Sequence, residues 1–286
     1  MLKKRPDGRL VKTVPPIMKI MPYIMKTRTD SMNMYDDTFA CEAWDEYIKE
    51  KEAEGLKLSY MHIFIAGVVR MIAQRPQLNR FVMNGRVYTR KKIYVSFVVH
   101  PKLCDGDTET TIKLAFEGTE TIQEIAEVIN RRIKEETTDR QGENGTDKLA
   151  KVLTFVPAPL IRLVVNTLMW MDRHNWLPKA IIDLSPFHTS FFITNLKSLG
   201  INYIFHHVYE FGTTGLFFAI GKEQNHVELD KNGNLKNEKR MGWGLVSDER
   251  FCDGLYFALS LRLLRKYMKN PRLLETPLEA KVEDVE

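Results

Sequence analysis

The chain has 286 residues, 44% hydrophobic and 28% charged, the make-up of a globular protein with ample material for a core. Its 42 basic and 37 acidic residues leave a formal charge of +5, too slight and too little interleaved with aromatics to mark a nucleic-acid interface. Three widely spaced cysteines, Cys41, Cys104 and Cys252, exclude a disulfide framework and a CxxC-type metal site.

Part of the basic excess is local, with seven Lys or Arg against one Asp in the first 26 residues. Residues 1–16 read as a solvated basic arm, with contact to an acidic partner or a membrane surface as the alternative. Pro15, Pro16, Lys19 and Pro22 interrupt any apolar run after it, so no secretory signal is expected and a reducing cytoplasm is the default location. Pro6-Asp7-Gly8 marks a turn. Residues 17–35 are rich in methionine and predict a short helix ending near Arg28. A strand-like piece at Thr38–Cys41 leads to a charged helix over about 43–54, closed by Gly55. Ser59 then caps a helix apolar nearly all round, hence buried, that stops before Pro76.

Arg80 to Tyr88 predicts a hairpin turning at Asn84-Gly85. Ile93–His100 and Thr108–Phe116 predict strands joined across Cys104-Asp105-Gly106-Asp107, and Thr121–Glu136 an amphipathic helix. Residues 137–147 read as a polar loop. The run 149–171 is strongly apolar but broken by Pro157, Pro159, Arg162 and Asn166, short of the roughly 20 uninterrupted residues a bilayer span needs. Its helix, Leu160–Met171, reads as a packing or lid helix; membrane-surface contact or a wall for an acyl chain are the alternatives. Strands are expected at Ser190–Asn195, Tyr203–Glu210, Gly215–Ile220 and Met241–Ser247, with a hairpin turn at Asp230–Gly233. A last helix, Leu255–Lys269, ends in Lys266, Lys269 and Asn270-Pro271, cations and a proline where a C-terminus wants them. The acidic tail from Glu275 is expected to be disordered. Together these predict one layered α/β domain over 17–274, a mixed sheet with helices packed on it.

The stretch Asp248-Glu249-Arg250-Phe251-Cys252-Asp253-Gly254 stands out as a charged turn between a strand and an amphipathic helix. With "ITNLKSLG" (193–200), "FALSLRLLRKYMKNPRLL" and "LSYMHIFIAGVVRMIAQRPQLNRFV" (58–82), it resembles the catalytic domain of the 2-oxo acid dehydrogenase acyltransferases (dihydrolipoamide acyltransferases), which is similar to chloramphenicol acetyltransferase. The likeness covers about 16–140 and 186–274, leaving 141–185 as an insertion. It implies a two-layer sandwich, a site built between subunits of a homotrimer, and an acyl-thioester substrate. Coenzyme A would be the acyl carrier, or a lipoyl group supplied by another protein, since the chain itself shows no lipoyl domain.

The family pattern is Asp-His-Arg-x-x-Asp-Gly, whose His takes the proton from the attacking thiol or hydroxyl. Carried over by position, Asp248, Arg250, Asp253 and Gly254 match. Thr194 matches the hydroxyl that donates to the tetrahedral oxyanion, and Arg28 the N-terminal Arg that pairs with the motif's last Asp. Glu249 stands where the family has His. A carboxylate is ordinarily about two pKa units, or roughly 3 kcal/mol, the weaker base, although burial can raise one by several units. The resemblance therefore implies an acyltransferase with Glu249 as base, or alternatively an inactive relative that keeps the trimer for binding or scaffolding. His188 is expected on the Thr194 strand but about 20 Å along it. His206 and His207 are candidate substrate-binding residues, one on each side of a strand. Asp253 could be only the cap of the last helix, and Cys252 reads as a packing residue whose thiol the neighbouring acids would keep protonated.

Overall fold

A computed structural model describes residues 4–100, 109–138, 157–229 and 232–285. In chain order its elements are β1 (Gly8–Leu10), α1 (Pro16–Ile24), β2 (Met32–Ala40), α2 (Glu42–Ala53), α3 (Tyr60–Gln74), β3 (Arg80–Met83), β4 (Arg86–Arg90), β5 (Ile93–Val99) and β6 (Thr110–Phe116). There follow α4 (Ile122–Thr138), α5 (Ala158–Arg173), α6 (Lys179–Leu184), β7 (Phe191–Asn195), β8 (Leu216–Leu229), β9 (Leu235–Asp248) and α7 (Gly254–Lys269). Six strands form one mixed sheet in the order β2-β9-β8-β7-β5-β6, parallel only where β7 meets β5 and β8. This is the expected mixed α/β fold.

Alternation along the strands gives the sheet two apolar faces. On one, Phe191, Phe218, Trp243 and Leu245 meet α3, where Phe64 packs edge-on against Phe218 and Trp243 with centroids 5.4 and 5.6 Å apart. Every α3 residue from His62 to Ala73 is buried. Gly67 lets α7 approach, since a Cβ there would fall 2.1 Å from the Met268 methyl. On the other face Phe192, Phe217 and Val246 are covered by Val208, from the segment that links β7 to β8. The hairpin at Asn84-Gly85 forms as expected, both residues at positive φ, the geometry a two-residue turn requires. It joins β1 in a separate three-stranded sheet.

Three expectations are corrected. The described part of the basic arm is built into the fold, although Lys4 and Lys12 stay exposed: β1 pairs with β4, and Arg5 is buried, donating to Asp7 at 2.9 Å and Asp172 at 2.8 Å. The acidic tail is ordered as far as Val285: Leu278 and Val282 donate backbone bonds to Thr119 and Ala73, and Asp284 accepts both forks of Arg80 at 2.7 Å. Composition marked both segments as solvated, yet one charge in each, Arg5 and Asp284, finds a buried partner from a distant part of the chain. Residues 203–210 form no strand. They lie across the outer sheet face instead, with Tyr203 over Gly244, where a Cβ would sit 2.7 Å from the ring. Their alternating pattern comes from side chains resting on that face, without a hydrogen-bonded ladder. Helix α5 buries only Asp172 and leaves Leu160, Leu163 and Val164 exposed. Among the described residues no helix is long and apolar enough to cross a membrane. The expectations for Cys104–Asp107, 139–147, 149–156 and the tip at Asp230 fall outside the described residues.

One consequence is testable. His62, third residue of α3, accepts from the Ser59 amide through Nδ1 at 2.9 Å, while its buried Nε2 has no partner among the described residues. Burial pushes its pKa down to about 4. Because the folded value lies below the unfolded one near ~6.5, the stabilisation is complete above that pH and is lost as pH falls from there towards 4. Unfolding free energies from urea titrations at pH 5 and 7.5 should differ by about 2 kcal/mol from this residue. His62→Gln, which keeps the cap, should flatten that slope; an unchanged slope refutes the assignment.

Candidate active site

Strand β9 ends on Asp248, and the next three residues make one tight turn. Asp248 is buried and accepts from Arg250 through N at 3.1 Å, Nε at 2.8 Å and Nη2 at 2.7 Å, and from the Ser31 hydroxyl at 3.1 Å. Arg250 also donates to the Met25 carbonyl, and the Glu249 amide donates to the Ser31 carbonyl at 3.0 Å. The forked pair and Phe251 turn inward, which points the residue between them outward. Glu249 is exposed, and its carboxylate accepts no hydrogen bond among the described residues.

Asp253 accepts from the Tyr256 amide at 2.8 Å and caps α7. Cys252 is buried behind it; desolvation, then the Asp253 charge, pushes its thiol up to about 12, so it holds no thiolate near neutral pH. Met18, Met21 and Met25 line a cavity of about 260 Å3 together with Glu249, Asp253 and Phe257. The methionines recur at helical spacing, a signal present in the sequence but not read as a wall. Ser31, which ties the turn to β2, had no sequence signal at all.

The remaining expected site residues lie elsewhere in the chain. Thr194 is half-buried on the outer face, level with Ala219 and Gly244. Glu249 lies five residues beyond Gly244 and two strands across, roughly 19 Å away by strand geometry. Beside Thr194, the buried Oδ1 of Asn195 has no partner among the described residues. His206 stacks on Phe217 with centroids 4.5 Å apart, and burial lowers its pKa. His207 is exposed against Tyr209. Neither sits on a strand, and the two do not flank one as expected. His188 precedes β7 and is buried, bonded to Ser185 at 2.8 Å and Asp172 at 3.2 Å.

Arg28 does not pair with Asp253. It is buried and donates to the Glu210 and Val82 carbonyls at 2.9 and 3.1 Å, while Asp253 is held at the exposed cap of α7. The acid that acts on Arg28 most strongly is Asp248, already forked by Arg250.

No protein-family model and no curated protein matches the chain. Solved structures do. A dihydrolipoamide acetyltransferase from Azotobacter vinelandii superposes with a TM-score of 0.59 at 11% identity, over 96% of this chain and 94% of that one. A probable dihydrolipoamide acetyltransferase from Listeria monocytogenes gives 0.56 at 15% identity, over 90% and 92%. A chloramphenicol acetyltransferase gives 0.51 at 10% identity, over 92% and 100%. At such identities the likeness is one of fold: this chain has the mixed-sheet architecture of those acyltransferases.

Proposed function

We propose that this protein is an acyltransferase that moves an acyl group between coenzyme A and a thiol, hydroxyl or amine acceptor, in a site completed by a second copy of the chain. The observation that carries the reading is the position of Glu249, a carboxylate with no hydrogen-bond partner among the described residues that lines a cavity together with Met18, Met21 and Met25. Glu249 removes the acceptor's proton as the acceptor attacks the thioester carbonyl. The tetrahedral oxyanion then takes a hydrogen bond from the Thr194 hydroxyl. Collapse expels the carrier as thiolate, which recovers the proton from Glu249. The methionine wall holds the acyl chain, Asp253 positions the turn as the cap of α7, and Arg28 braces the 25–31 loop beside it. His206 and His207 face the acceptor side. A lipoyl carrier would serve in place of coenzyme A if another protein presented it.

One chain cannot hold Thr194 and Glu249 on the same acyl group, because roughly 19 Å separates them. The missing half therefore comes from a neighbour. Exposed apolar side chains on α1 (Ile17, Ile20, Ile24) and on the outer-face segment (Ile201, Ile204, Phe205) provide surface for it. Similar structures include the cubic core of a pyruvate dehydrogenase multienzyme complex, and a homotrimer is the assembly we assign. Light scattering of the purified chain should give three times the 33.3 kDa chain mass. A monomer that still turned over acyl-CoA would overturn the shared site.

A second reading, an inactive trimeric binding or scaffold protein, is favoured by the exposure of Glu249, since a solvated carboxylate is a weak base. It predicts a silent wild type that gains transfer on Glu249→His. Transfer by the wild type sinks it.

A further inference from the structure

Behind the Asp248–Arg250 pair lies a second cavity, of about 440 Å3, between the end of α1, the β3–β4 turn and α5. Two buried cations line it: Arg250, paired with Asp248, and Arg28, only 5% exposed. Two carbonyl oxygens accept from this guanidinium, and among the described residues no carboxylate does. The nearby acids are already engaged. Asp172 is held by Arg5 and His188, the exposed Glu210 carboxylate accepts from the Thr29 amide and hydroxyl, and Asp248 is forked by Arg250. Lys26 and Arg173 add exposed positive charge at the rim. Met83, Met169 and Phe211 supply apolar wall.

A buried guanidinium normally carries a matching anion, because desolvating an uncompensated charge is expensive. Here burial, with the Arg250 charge adding to it, depresses the Arg28 pKa even though Asp248, Glu210 and Asp172 lie near enough to oppose the shift. Arg presents a planar fork of donors that suits carboxylate and phosphate alike. We propose that this cavity is a binding site for a small amphiphilic oxyanion, its carboxylate or phosphate head on Arg28 and its apolar body against Met83 and Met169. The site adjoins the proposed transfer site through Arg28 and Arg250, but neither Glu249 nor Thr194, the groups assigned to the proton and the oxyanion, lines it.

Calorimetric titration of the full chain at fixed ionic strength tests this with octanoate, octyl phosphate and neutral octanol. One molecule of octanoate or octyl phosphate should bind per chain, and the tighter of the two identifies the head group. Octanol should bind at least about tenfold more weakly, the size of one lost charge-assisted hydrogen bond. Arg28→Lys should weaken anion binding by about the same factor, since an ammonium cannot form the fork. Met169→Trp, on a half-buried helix position, should fill the cavity and abolish saturable binding; it decides the matter if Arg28→Lys does not fold. Glu249→Gln should leave the titration unchanged. Equal affinity for octanol and octanoate, or full binding by the Met169→Trp protein, overturns the site.

Discussion

Glu249→Gln should lower acyl transfer by about 10²–10⁴-fold, the usual contribution of a positioned general base. The change should fall on kcat with little effect on KM, because the amide fills the same space and only the proton-accepting oxygen is lost. Stability should move by less than about 0.5 kcal/mol, since the side chain is exposed and bonds to nothing in the described chain. Thr194→Ala should cost about 10²–10³-fold, as for other oxyanion donors. The two variants together test the geometry. If Glu249 of one copy works with Thr194 of the next, equal mixing of the two inactive proteins with subunit exchange restores about a quarter of wild-type activity, because one site in four draws both intact residues. A site contained in one chain would show no recovery. Full activity of the Glu249→Gln protein would remove the base from the mechanism.

Much of this frame was legible because it depends on local chemistry. The buried helix α3 follows from apolar residues around its whole circumference, the hairpin from Asn84-Gly85, and the start of α7 from Asp253, whose carboxylate caps it. The strand-to-helix turn was legible for the same reason, as was the raised pKa of Cys252. Long-range pairing was not. Arg5 meets Asp172 across 167 residues and Arg80 meets Asp284 across 204, and nothing in their own neighbourhoods signals burial. Periodicity misled at Tyr203 and Phe205, because a segment lying on a sheet and a strand within it alternate alike. The separation of Thr194 from Glu249 was equally hidden: adjacency in a motif pattern says nothing of strand register, which puts the two at opposite ends of the sheet. Arg28 lies beside the turn, but the partner assigned to it by position, Asp253, is used elsewhere, at the head of α7.

Asp172→Ala should be the most destabilising single change outside the apolar core, at about 3–5 kcal/mol, the usual loss when one partner of a buried ion pair is removed. One Asp172 oxygen accepts from Arg5 at 2.8 Å and the other lies 3.2 Å from His188 Nε2, with all three side chains buried. Ser185 donates to His188 Nδ1 in the neutral tautomer, so the ring offers its Nε2 hydrogen to Asp172. This network holds the N-terminal arm, α5 and the approach to β7 together. Burial lowers the His188 pKa, while the hydrogen bond from His188 and the Arg5 charge outweigh burial and hold Asp172 below the ordinary carboxylate range. Both shifts favour folding at higher pH: the histidine's contribution is lost as pH falls below its unfolded value near ~6.5, and the aspartate's below ~3.9. Removing Asp172 strands the Arg5 charge with Asp7 alone and leaves His188 without its acceptor. Asp172→Asn keeps the volume and one acceptor oxygen but not the charge, and should fall between wild type and Ala. Urea unfolding at pH 7.5 measures the series. A loss under about 1 kcal/mol for Asp172→Ala would mean that water repairs the network and that α5 is held by something other than this carboxylate.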